Sequence, residues 1–139
     1  MKKRIATFKD ELKHLNDYMD EVRRLEGEIE LLEYDMENVK GIDYSKQSGS
    51  YNESAAQNKI LGMIERKEKL EKRKKITKEK INAICDILKV MPEDDRTLLI
   101  EVIADRRTYK KVCEERNISN TSTLFVLINS IIEQALKKA

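Results

Sequence analysis

The chain has 139 residues, 39% of them charged and 5% aromatic, with no Trp, one proline and four glycines. That balance describes long helices whose apolar area lies in seams, and it excludes a large aromatic core. The net charge of +2 is a cancellation: residues 10–37 hold eleven acids against three bases, and residues 66–80 hold nine bases against three acids.

The first segment, about residues 3–37, repeats apolar residues at steps of three and four: Ile5, Phe8, Leu12, Leu15, Tyr18, Val22, Leu25, Ile29, Leu32 and Met36. Two successive threes, Leu15 to Tyr18 preceded by Leu12 to Leu15, form a stammer that overwinds a coiled coil. His14, the only histidine, falls off this seam and reads as a surface residue. Residues 41–54, GIDYSKQSGSYNES, form a loop, whose Tyr44 and Tyr51 have two readings, packing back on helix ends, which is favoured, or an exposed stacking role.

A second long segment, about residues 55–90, keeps a heptad register at Ile60, Lys67, Lys74, Ile81, Leu88 and at Met63, Leu70, Thr77, Ile84, Met91. Two helices of about 50 Å each, at 1.5 Å per residue, joined by one loop should fold back as an antiparallel coiled-coil hairpin over 1–91. The basic run Arg66 to Lys80 has two readings. It is a nucleic-acid patch, or a solvated face balanced by the acidic arm, and the second is favoured because the adjacent acids weaken the pull on a phosphate.

Met91-Pro92 ends that helix and opens a small domain over 92–139. Pro92 suits a first helical turn, with Glu93, Asp94 and Asp95 favourably placed against the N-terminal dipole. This third helix reaches about Asp105 and buries Leu98, Leu99, Val102 and Ile103. A fourth helix starts at Thr108 as N-cap, with Tyr109, Val112 and Cys113 inward. Asn117 supplies a left-handed stop and Ile118 plugs the turn. Ser119, Thr121 and Ser122 each offer an N-cap for the last helix, and the outline is a helix-turn-helix. The fold class is therefore all-α, a helical hairpin followed by a helix-turn-helix domain.

The order of these pieces, and above all VKGIDYSK (Val39 to Lys46) and DRTLLIEVIADRRTYKKVCEERNIS (Asp95 to Ser119), resembles phage-encoded late-transcription regulators of the RinA/ArpU type. The C-terminus of that family is similar to region four of bacterial sigma factors. The resemblance implies DNA binding and activation of phage genes, with RNA polymerase as a further partner it allows.

The last helix departs from that pattern. Thr121 to Ala135 holds no Arg or Lys, although base edges are read mainly by Arg, Lys, Asn and Gln. One stripe (Leu124, Leu127, Ile128, Ile131, Ala135) should pack on the third and fourth helices, leaving Phe125, Val126 and Ile132 over. Residues 93–139 hold eight bases and eight acids.

Two readings follow. In the first, double-stranded DNA is bound through Asn120, Thr121, Ser122 and Thr123 with Arg106, Arg107, Lys110 and Lys111, while Phe125, Val126 and Ile132 form a homodimer seam. In the second, the same outline serves as a protein-interaction or oligomerisation module. No motif for a catalytic residue, a metal or another cofactor stands out, and the chain does not read as an enzyme. Cys85 and Cys113 read as reduced, buried thiols. No apolar run reaches the ~20 residues of a membrane span and no signal peptide is visible, so the cytoplasm is the expected compartment.

Overall fold

The computed structural model describes residues 1–40 and 53–139. The expected loop over 41–54, with Tyr44 and Tyr51, lies almost wholly outside the described residues. The described chain is all-α: α1 (Lys2–Lys13), α2 (Leu15–Lys40), α3 (Glu53–Lys89), α4 (Glu93–Leu99), α5 (Tyr109–Arg116) and α6 (Thr121–Lys138). A π-helical turn, Ile100–Ala104, continues α4.

Contacts divide the chain into two units, Asp20–Thr77 and Met1–Met19 with Lys78–Ala139. The boundary expected at 91/92 is thereby corrected. The apolar faces of α1 and of the end of α3 are spent on α4–α6, 80 and more residues away in sequence for α1, so those ends belong with the C-terminal helices.

In the unit Asp20–Thr77, Leu25, Ile29, Leu32 and Leu70 form one apolar cluster, flanked by Met36 and Met63. Ion pairs join Glu21 to Arg73 (3.2 Å), Glu26 to Lys74 (3.4 Å) and Glu33 to Lys67 (3.2 Å). From Glu26–Lys74 to Glu33–Lys67 the position rises along α2 and falls along α3, so these two stretches run in opposite directions. Lys67 and Lys74 occupy heptad positions because their stems can lie along the seam while their ammonium groups reach α2 carboxylates. Three bases of the Arg66–Lys80 run thus serve α2, in line with the balanced-face reading. Each such exposed pair is worth only ~0–1 kcal/mol, so the pairs align the helices more than they hold them.

In the other unit, α1 lies against α6 and against the π-helical turn, and α5 lies against α6. Leu12, Leu99, Val112, Leu124, Ile128 and Ile132 are fully buried in the shared core, each large side chain contributing about 1.5–3 kcal/mol. The single helix expected over 3–37 is interrupted at His14 (φ −97°, ψ 5°). The interruption falls at the stammer, where one non-helical residue resets the apolar face in place of overwinding. It also lets Asn16 donate from Nδ2 to the Ala104 carbonyl (3.2 Å) and the Asp105 carboxylate (3.2 Å).

The end of α3 is closed by Arg96, whose Nε donates to the Leu88 carbonyl (3.0 Å) and whose guanidinium also reaches the Met91 carbonyl (3.2 Å). Leu88 is among the last carbonyls of α3, which a helix end leaves without intrahelical partners, and it also accepts from the Met91 amide just beyond the helix (3.1 Å). Pro92 is the N-cap of α4 rather than its first residue. Cys113 is buried, as expected, whereas Cys85 is only half-buried.

Candidate nucleic-acid interface

The turn between α5 and α6 is set by two asparagines. Asn117 is left-handed (φ 57°, ψ 40°), a conformation that Asn tolerates better than other residues with a Cβ. It brings the Ile118 amide onto the Cys113 carbonyl (2.9 Å) and places Ile118 against the core. Asn120, not Ser119, Thr121 or Ser122, caps α6. Its Oδ1 accepts from the Thr123 amide (2.8 Å) and the Thr123 hydroxyl (2.9 Å). The cap occupies the Asn120 side-chain oxygen and the Thr123 donors. Thr121 and Ser122 stand exposed ahead of it with Asn120 and Thr123.

The faces of α6 differ from expectation at two residues. Ile132, expected in a dimer seam, is 0% exposed, because α1 covers a side of α6 that local periodicity leaves free. Leu127, expected inside, is 40% exposed, beside Phe125 at 49% and Val126 at 65%. Phe125 and Val126 share one groove with Tyr109, Thr121 and Ser122. The surface expected to meet DNA and the surface expected to meet a second copy are therefore one continuous face, and the proposed seam of Phe125, Val126 and Ile132 does not form a separate stripe.

Tyr109 links this face to a second groove of about 440 Å³, lined on the α1 side by Lys9, Asp10 and Lys13 and on the other by Ile103 and Arg106. Lys9 crosses toward α6, its Nζ 4.4 Å from the Phe125 ring centroid. Burial lowers the pKa of that ammonium from its ordinary value, and the ring face attracts it. These α1 lysines escaped the sequence reading. They sit some hundred residues before α6, and nothing local marks them beyond their place off the apolar seam.

The four cations expected at the interface divide. Arg106, left-handed at φ 55°, donates to the Lys13 carbonyl (3.3 Å) and lies 3.6 Å from the Asp17 carboxylate, while remaining half exposed at the groove rim. Arg107 is held by Glu115 and lies 3.7 Å from Glu101, which also pairs with Arg116 (3.3 Å). The hydrogen bond from Arg107 holds the Glu115 carboxyl below its ordinary range. Arg107 is thus engaged between two carboxylates, against the expectation that it is free for a phosphate. Lys110 and Lys111, in the first turn of α5, are exposed, and no ion pair involves them among the described residues.

Among the described residues no group of three or more His, Cys, Asp or Glu is placed to hold a metal ion, and no helix is long and apolar enough to cross a membrane. No family model, curated protein or solved structure matches the chain.

Proposed function

We propose that the chain is a non-enzymatic duplex-DNA-binding regulator whose grip is led by phosphate contacts rather than by base reading. The observation that carries this is the exposed, capped N-terminal edge of α6 lying on one strip with lysines of α1, next to the lysine pair of α5. A helix N-terminus and lysines are the groups that meet phosphate oxygens, and such contacts position a protein on DNA without specifying sequence. Lys9, Lys13, Lys110 and Lys111 supply the charge, with Arg106 at the rim and Arg107 left out.

Between Thr121 and Ser130, α6 carries no Arg, Lys or Gln, and the Oδ1 of its Asn129 is buried. With that acceptor out of reach, no side chain of this stretch can make a bidentate base contact. Phe125 and Val126 suit apolar contact with thymine methyl groups, which discriminates weakly. The phage late-transcription setting, and RNA polymerase as a partner, rest on the RinA/ArpU resemblance alone.

Fluorescence anisotropy on a short labelled duplex across a salt series tests the proposal. Four phosphate contacts give a log–log salt slope of about −3.6, and Lys9→Ala with Lys13→Ala should halve it to about −1.8. A scrambled duplex should bind nearly as well. Absence of binding at about 50 mM salt, where such a slope makes association tightest, overturns the reading.

One observation favours a second reading. Phe125, Val126 and Leu127 make an apolar centre with a charged rim, which is the anatomy of a protein–protein contact. On that reading the chain is an interaction module. Its association would be insensitive to salt, lost in Val126→Asp and unchanged by the α1 lysine substitutions.

A further inference from the structure

A groove of about 630 Å³ lies away from the α6 edge, between α1, the last turns of α3 and the end of α6. Phe8, Ile84, Ile87 and Leu136 make its floor, and Lys3, Arg4 and Lys80 stand at its rim. Glu11 also lines it, but the Glu11 carboxylate accepts from the Tyr18 hydroxyl (3.1 Å) and is engaged within the unit. The groove is apolar below and cationic above, on a scale that takes large side chains.

The chain also carries a surface of the opposite kind. On α2, Leu31 is 67% and Tyr34 65% exposed. They lie three residues apart and so share one helix face, bordered by the exposed acids Glu30, Asp35 and Glu37. Gly27, one turn before Leu31, is on the same face, and a Cβ there would meet nothing within 4 Å. A mid-helix glycine costs about 1 kcal/mol relative to Ala, and nothing around it among the described residues calls for one. It leaves a flat spot where another helix can approach closely.

We propose that the groove takes the Leu31–Tyr34 face of α2 from a second copy of this chain. Two apolar knobs ringed by acids meet an apolar floor ringed by cations, the mode in which a helix lies in a groove. Each copy offers both surfaces, so every copy can give and receive this contact. The inference stands apart from DNA binding and uses none of the residues assigned to it.

Sedimentation equilibrium on the full chain, with far-UV circular dichroism as a folding control, tests it. The wild type should associate, and Leu31→Lys with Tyr34→Lys should weaken association at least ~10-fold, the loss expected when a buried apolar anchor is replaced by charge. Lys3→Glu with Arg4→Glu, both at exposed positions, should weaken it comparably, and adding Glu30→Lys with Asp35→Lys to that chain should restore it. A wild type that stays monomeric to about 0.1 mM, a concentration at which even a weak specific contact is populated, overturns the proposal. So does charge reversal without restoration, or association lost only in Val126→Asp. A monomer that instead binds a labelled acidic amphipathic peptide would assign the groove to a foreign partner and equally overturn self-association.

Discussion

The orientation of α6 about its own axis decides which residues meet any partner, and Ile132 and Val126 report it directly. Ile132 is 0% exposed and Val126 is 65% exposed. Truncating a fully buried isoleucine to alanine removes its transfer free energy and leaves a cavity, a cost of about 2–5 kcal/mol. At about 2.1 cal/mol/K per residue, unfolding 139 residues carries an entropy near 0.29 kcal/mol/K, so Ile132→Ala should lower Tm by roughly 7–17 °C. Val126→Ala removes atoms that already face water and should change stability by no more than about 0.5 kcal/mol, or roughly 2 °C. Thermal melts of the two variants by circular dichroism make the comparison. Equal shifts, or a larger one for Val126→Ala, would mean that α6 is rotated and that the exposed strip is assigned to the wrong residues.

Two further outcomes follow from the α5–α6 region. Asn117→Ala should cost about 1–2 kcal/mol, because a residue other than Gly or Asn pays that much to stay left-handed, whereas Asn117→Gly should melt at or above the wild type; identical melts for both would refute the turn. The Glu115 carboxyl is held below the ordinary glutamate value by Arg107. Its contribution to stability is therefore present above the unfolded-state value and lost as pH falls through the lower folded one. An NMR titration should place its midpoint below the ordinary glutamate value and return it toward that value in Arg107→Ala, and an unchanged midpoint would sink the pairing.

Much of the helical framework was legible because it depends on local period. Every member of the first apolar series from Ile5 to Met36 is buried or half-buried, as is every position of the two α3 heptad series. Even Lys67, Lys74 and Thr77 obey the register, the lysines through their α2 partners and Thr77 by donating from Oγ1 to the Arg73 carbonyl (3.0 Å). The left-handed stop at Asn117 was legible for a chemical reason.

What escaped was set by contacts distant in sequence. The last helix holds large apolar residues on most of its circumference, so period alone could not say whether Leu127 or Ile132 faces inward. The packing of α1 on α6 decides that, and it also moves the unit boundary and brings Lys9 and Lys13 to the interface. Arg107 looked free because its acceptors, Glu101 and Glu115, lie on different elements.

The π-helical turn holds a residue more than an α-turn would. The Asp105 amide reaches the Ile100 carbonyl (2.8 Å) and the Arg107 amide the Glu101 carbonyl (3.0 Å), with Arg106 left-handed between them. An α-helix advances about 100° per residue, so deleting one position from Ile100–Ala104 would swing everything downstream by a little over a quarter of a revolution. The lysine pair at the head of α5 would then aim elsewhere while the hydrophobic pattern of the chain hardly changed. That single surplus residue is where length, rather than composition, sets the direction in which the C-terminal helices face.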